Sequence, residues 1–201
     1  MINNIIFDFG GVLVDWDPRR VYVPYFGDAD KAESFLTEVC TYEWNAQVDA
    51  GRLIKDVTEE QVARFPQWEK EVRMYFDHWI DMMGGTIPGM EQLVRELKTQ
   101  AYRVWGLTNW SWETFPLIRD RYPVFSLFDG IVVSGKEKTV KPHPEIFHIL
   151  LDRYGLKAAE SVFIDDNAAN VAGAEAVGIR AILFEGADKL RGQLQDLLTV
   201  K

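Results

Sequence analysis

FDFGGVLVDWD, residues 7–17, continues an apolar run, IIF at 5–7, so that a strand delivers Asp8 into a turn built on Gly10 and Gly11. Four further short runs rich in β-branched and aromatic residues share the strand's character: VWGL at 104–107, IVV at 131–133, VFI at 162–164 and AILF at 181–184. Each is continuous rather than alternating, as expected of a strand covered on both faces. Between most of them lie helix-like segments, MEQLVRELK, WETFPLIRDRY, PEIFHILLDRYG and ANVAGAEAVG, with Ser111 placed as a cap and Gly155 and Gly178 as stops. The alternation predicts an α/β fold with a doubly wound (Rossmann-like) parallel sheet.

One stretch, roughly 16–85, breaks the rhythm. DADKAESFLTEV, TYEWNAQVDAG, TEEQVARF and EKEVRMYFDHWIDMMGG are helical by period and composition, and no strand is predicted among them. So long a connection is not a simple crossover. The chain therefore divides into a core of residues 1–15 and 86–201 and an inserted α-helical cap of residues 16–85, lying over the strand ends. The linkers near 14–17 and 84–89 are short, and the second carries glycines and Pro88, which predicts a hinge that closes the cap over Asp8 and excludes water.

With 201 residues, 47% of them hydrophobic, the chain can bury a sizeable core. A net charge of -9 without a basic run argues against nucleic acid and anionic membrane as partners, so an anionic substrate needs a locally positive site. Cys40 is the only cysteine, which excludes an internal disulfide and a thiolate zinc cluster and suits a reducing compartment. There is no basic leader and no run of about 18 apolar residues, so the expectation is a soluble, cytoplasmic protein. Oligomeric state is not legible at this level.

The chemistry gathers where strands end. IIF runs into Asp8, VWGL into Thr108 and Asn109, IVV into Ser134, and VFI into Asp165 and Asp166, with Lys141 of TVKPHP within reach of the same edge. Open parallel sheets bind ligands at that edge. Any one such residue is as readily a turn or helix cap. Together, Asp8, Asp165 and Asp166 would repel one another and force one to keep a proton. A divalent cation with Lys141 balances the three charges, and hard oxygen donors without a His or Cys cluster favour Mg2+ over zinc. Asp8 can then attack phosphorus. The Thr108 hydroxyl and the backbone N–H groups of the Gly10–Gly11 turn and of Asn109 are suited to the phosphate oxygens of a small phosphorylated substrate.

DFGGVLVDWD, LTNWS, KPHPEIF and FIDDNAANVAGAEAVG, in that order, resemble the four motifs of the haloacid dehalogenase (HAD) superfamily, in the subfamily I group with a helical C1-type cap inserted after the first motif. The resemblance implies a Mg2+-dependent phosphatase of small phosphorylated metabolites working through an aspartyl-phosphate. It makes Asp8 the nucleophile, Thr108 the phosphate-binding hydroxyl, Lys141 the partner of phosphate and nucleophile, and Asp165 with Asp166 the metal pair. It also makes the backbone carbonyl of Gly10 a metal ligand.

Gly10 departs from the family's usual D-x-D, whose second Asp protonates the leaving alkoxide and then activates water. Positioned acid–base catalysis is worth about 10^2–10^4 in rate. Asp15 and Asp17 lie near the same loop as candidate replacements; either is equally suited to cap a helix before Pro18, and for Asp17 the cap is favoured. Gly10 also admits a 2-haloacid dehalogenase, since a halide leaves without a proton, although such enzymes need neither metal nor the Asp165–Asp166 pair. A phosphometabolite-binding protein with little turnover is the third reading. Substrate choice falls to TYEWNAQVDAGR, where Arg52 is suited to an anion, Asn45 or Asp49 to a hydroxyl, and Trp44 to the pocket or the core. Of Trp110 and Trp112, one is expected to line the pocket and the other to pack beneath it. His78, His143 and His148 show no ligand spacing.

Overall fold

The computed structural model of the chain describes residues 1–199. Its strands are β1 (Asn4–Phe7), β2 (Val14–Trp16), β3 (Met83–Thr86), β4 (Arg103–Thr108), β5 (Gly130–Val133), β6 (Ser161–Asp165) and β7 (Arg180–Leu183). Strands β1, β4, β5, β6 and β7 pair in parallel, in the order β5-β4-β1-β6-β7. From central β1 the chain winds outward through β4 and β5, then crosses back to β6 and β7. The reversal leaves a crevice at the carboxyl end of β1, the usual ligand position in such sheets.

Five helices occupy the connection between β2 and β3: α1 (Arg19–Phe26), α2 (Ala29–Glu38), α3 (Tyr42–Asp49), α4 (Ile54–Arg64) and α5 (Glu69–Asp77). The others are α6 (Met90–Thr99), α7 (Phe115–Arg119), α8 (Ser134–Glu137), α9 (Pro144–Tyr154), α10 (Ala168–Ala176) and α11 (Ala187–Thr199). The unbroken apolar strands are explained by burial on both sides. Ile5 and Phe7 join a core shared with α6 and the insert, whereas Ile6 joins Trp105, Phe163 and the α9 residues Ile146, Phe147 and Leu150. Met90, Leu93, Val94 and Leu97 form the buried stripe of α6, at the spacing of one helical face. In the insert, Asp28 and Thr41 cap α2 and α3 by accepting backbone N–H groups.

Three elements differ from expectation. The segment ending in WIDMMGG does not stay helical to its end: α5 stops at Asp77, a short 3-10 helix covers Trp79–Met82, and Met83–Thr86 then pairs antiparallel with Val14–Trp16. The two linkers are therefore bonded to each other as a ribbon, stabilised across strands in a way that a short Gly-Gly sequence does not announce. The WETFPLIRDRY helix shrinks to Phe115–Arg119 because Pro116 lacks an N–H and is accepted only in a first turn; Ser111 caps the preceding turn instead, accepting the Glu113 N–H. Helix α1, unanticipated beside Pro24, is held by its fully buried Tyr22.

Candidate active site

Asp8 follows β1, and its N–H donates to the Ile164 carbonyl across the sheet (2.9 Å). The next residue anchors the turn: Phe9 is fully buried among Phe115, Phe125 and Phe128, and its carbonyl accepts the N–H groups of Val12, Leu13 and Val14. Burying such a ring is worth about 2–3 kcal/mol, which fixes the loop and leaves Asp8 lining the cavity above the sheet. The two glycines are not equivalent. Gly11 has φ 73, and a Cβ there would overlap the Asp166 carboxylate. A Cβ on Gly10 would meet nothing nearer than Trp110 Cζ3, at 3.7 Å.

Lys141 Nζ lies 2.8 Å from Asp8 Oδ1 and 2.6 Å from Asp165 Oδ2, and the side chains of Lys141 and Asp165 are both 0% exposed. Asp165 is held further by the Asn167 N–H (2.8 Å) and by the Asn170 amide (3.1 Å). Asn170 escaped the sequence reading, although its place in the first turn after FIDD was a signal. Asp8, Asp165 and the exposed Asp166 each bring an oxygen within 4.8 Å of the others. Burial, opposed by Lys141 and reinforced by Asp165, pushes the Asp8 carboxyl up to about 7. Burial and Asp165 also raise Asp166. Burial would lower the Lys141 ammonium, but Asp8 and Asp165 outweigh it and raise it. Three carboxylates around one ammonium lack positive charge, and an all-oxygen donor set with that deficit fits a hard divalent cation.

Thr108 ends β4 at 1% exposure, and its Oγ1 has no hydrogen-bond partner among the described residues. A buried hydroxyl without a partner costs stability unless a ligand satisfies it. Asn109 lines the cavity, but its amide also locks the Lys141 loop, donating to the Lys141 carbonyl (3.0 Å) and accepting its N–H (2.9 Å).

The cavity, ≈ 560 Å³, has a floor of Asp8, Gly10, Gly11 and Asp166 and walls of Trp16, Trp79 and Trp110. The insert adds Tyr42, Asn45 and Asp49. Asp49 is 8% exposed; burial pushes its carboxyl up to about 7, the Ser111 N–H pulling it down and Asp8 pushing it up.

Several candidates are not brought here. Asp15 pairs with Arg20 and, with Asp17, lines a neighbouring groove; the ribbon turns its carboxylate to Arg20 rather than to Asp8. Arg52 is occupied by Glu60 and Gln47. Trp44 is core, its indole N–H donating to the Val57 carbonyl (3.1 Å). Ser134 is buried and ties the insert to the core, its Oγ donating to the Asp49 carbonyl (2.6 Å) and accepting the Trp110 N–H (2.9 Å). Trp112 is 39% exposed instead of packing beneath Trp110. No histidine lines the cavity.

The sequence profile of haloacid dehalogenase-like hydrolases matches residues 2–178. The sesquiterpene phosphatase astK of Aspergillus oryzae is 30% identical over 87% of this chain and 85% of its own length. The D-ribitol-5-phosphate phosphatase of Bacteroides thetaiotaomicron is 24% identical over 98% of this chain and 99% of its own. A HAD family enzyme of Bacteroides thetaiotaomicron, solved with magnesium and inorganic phosphate, superposes with a TM-score of 0.70 at 20% identity, over 92% of this chain and 96% of that one.

Proposed function

This chain belongs to the haloacid dehalogenase-like hydrolases, and from that premise we propose that it is a Mg2+-dependent phosphatase of small phosphomonoesters, working through an aspartyl-phosphate on Asp8. The observation that carries the reading is the buried Asp8–Lys141–Asp165 array, with the unpartnered Thr108 hydroxyl at the end of the neighbouring strand β4. Asp8, Asp165, Asp166 and the Gly10 carbonyl would hold the ion, which supplies charge neutralisation to the phosphate oxygens and the nucleophile. Lys141 orients the Asp8 carboxylate, Thr108 Oγ1 donates to a phosphate oxygen, and the glycine turn lets backbone approach the phosphate. Residues 16–85 serve as the cap domain over a core of residues 1–15 and 86–201.

The cavity lining favours an ester whose organic part is uncharged. Trp16, Trp79, Trp110 and Asn45 line the cavity, and no Lys or Arg does. A second phosphate or a carboxylate on the substrate would find no cation there and would face Asp49. Relatives named for a sesquiterpene and a ribitol phosphate are compatible with such a choice. The Asp165–Asp166 pair supports phosphatase over metal-free dehalogenation.

The test is phosphate release from a panel of phosphorylated metabolites with and without Mg2+. Release that requires Mg2+ and disappears in Asp8→Asn is expected. Chloride release from 2-chloropropionate without metal, and no phosphate release, would overturn the proposal.

A further inference from the structure

Resting on the phosphatase reading above, we propose that Asp49, delivered by the helical insert, is the proton donor and acceptor that position 10 lacks. Gly10 leaves the loop without a carboxyl, and the near-loop candidates are engaged elsewhere: Asp15 with Arg20, and Asp17 with the Arg19 N–H (2.9 Å) and guanidinium. Three carboxylates line the cavity, Asp8, Asp49 and Asp166. Asp8 and Asp166 belong to the floor cluster. Asp49 remains, contributed by α3 of the insert.

That position is what the reaction requires. The attacking and leaving oxygens lie roughly in line across phosphorus. With Asp8 below, the leaving oxygen faces the insert, and the water of the second step enters from the same side. Asp49 is also held for precision. Ser134 of the core binds its carbonyl (2.6 Å), while the Ser111 N–H and Asn45 Nδ2 (3.3 Å) meet its carboxyl. No cationic side chain forms an ion pair with it among the described residues, so the carboxyl is free to carry a proton. The groups whose charge reaches it are Asp8, Lys141, Tyr42 and Tyr75. Burial places it near 7, suited to donating and accepting at neutral pH.

In the first step a bond forms from the Asp8 carboxylate to phosphorus, the ester P–O bond breaks, and the Asp49 proton passes to the departing alkoxide. In the second, the Asp49 carboxylate takes a proton from water, whose oxygen bonds to phosphorus as the aspartyl P–O bond breaks. Phosphate leaves, and both carboxyls return to their starting forms.

The experiment compares wild type, Asp49→Asn and the double variant Gly10→Asp/Asp49→Asn on an alkyl phosphate and on p-nitrophenyl phosphate with Mg2+. For Asp49→Asn the expected kcat on the alkyl phosphate falls about 10^2–10^4-fold with little change in KM. On p-nitrophenyl phosphate, whose leaving group needs no proton, a single-turnover burst precedes slow turnover, and phosphorylated protein accumulates in intact-mass spectra. Gly10→Asp restores alkyl phosphate turnover, since its Cβ fits. Wild-type kcat in Asp49→Asn, or equal loss on both esters with no burst and no rescue, would overturn the role of Asp49 alone. Wild type inactive on both esters would overturn the phosphatase reading itself.

Discussion

Lys141 shows how much of this site rests on single residues. Its ammonium is fully buried between two carboxylates, so Lys141→Met leaves those charges unpaired, and breaking a buried ion pair this way costs about 3–5 kcal/mol. Denaturant titration of the metal-free protein should show that loss, and Mg2+ should recover part of it. Neighbouring glycines should respond in opposite ways. Gly11→Ala places a methyl against Asp166 at φ 73, which is strained by about 1–2 kcal/mol. It should weaken Mg2+ affinity in a titration of activity or thermal stability, whereas Gly10→Asp alone should fold and bind Mg2+. Asp8, Thr108, Asp165 and Asp166 were legible because each ends a continuous apolar strand. Asn170 was not, nor was the hold of the Asn109 amide on the Lys141 loop, because such bonds depend on side-chain directions that no spacing reveals.

At the scale of elements, the joint between α3 and the sheet decides where Asp49 stands. Ser134 bridges it, and Ser134→Ala strands a buried Asp49 carbonyl and Trp110 N–H at a cost of about 1–3 kcal/mol. The expected outcome is a lower melting temperature together with a fall in kcat on alkyl phosphates and a burst before slow turnover on p-nitrophenyl phosphate. Equal falls on both without a burst would mean that the joint serves stability alone. The sheet's strands were readable from sequence because burial on both faces makes each an unbroken apolar run. The β2–β3 ribbon was not, because Met83–Thr86 contains two glycines and is a strand only by virtue of its partner across a long loop. The same ribbon sets where Asp15 points: pairing opposite Gly85 leaves its carboxylate beside Arg20.

For the whole molecule, the buried carboxyls couple stability to pH. Asp49 lies at about 7 against an ordinary 3.8, so between those values the folded chain holds a proton that the unfolded chain releases. The stability this contributes is complete below about pH 4 and is lost as pH rises through 7, at up to about 1.4 kcal/mol per unit. Asp8 acts in the same direction. Thermal melts of metal-free protein should fall across that window and flatten above it. Asp49→Asn should reduce the slope, and Mg2+ should stabilise most at the alkaline end, where it replaces the missing protons. No described helix is long and apolar enough to cross a membrane. The sequence by itself determined the parallel sheet, the inserted helices and the cluster of Asp8, Lys141, Asp165 and Asp166, because strand burial and topology bring strand ends to one edge whatever the loops do. Only the tertiary structure decided which carboxyl faces that cluster. Asp15 is seven residues from Asp8 and turned away, while Asp49 is some forty residues on and turned in, because the docking of α3 onto Ser134 is a contact between distant surfaces that no local pattern records.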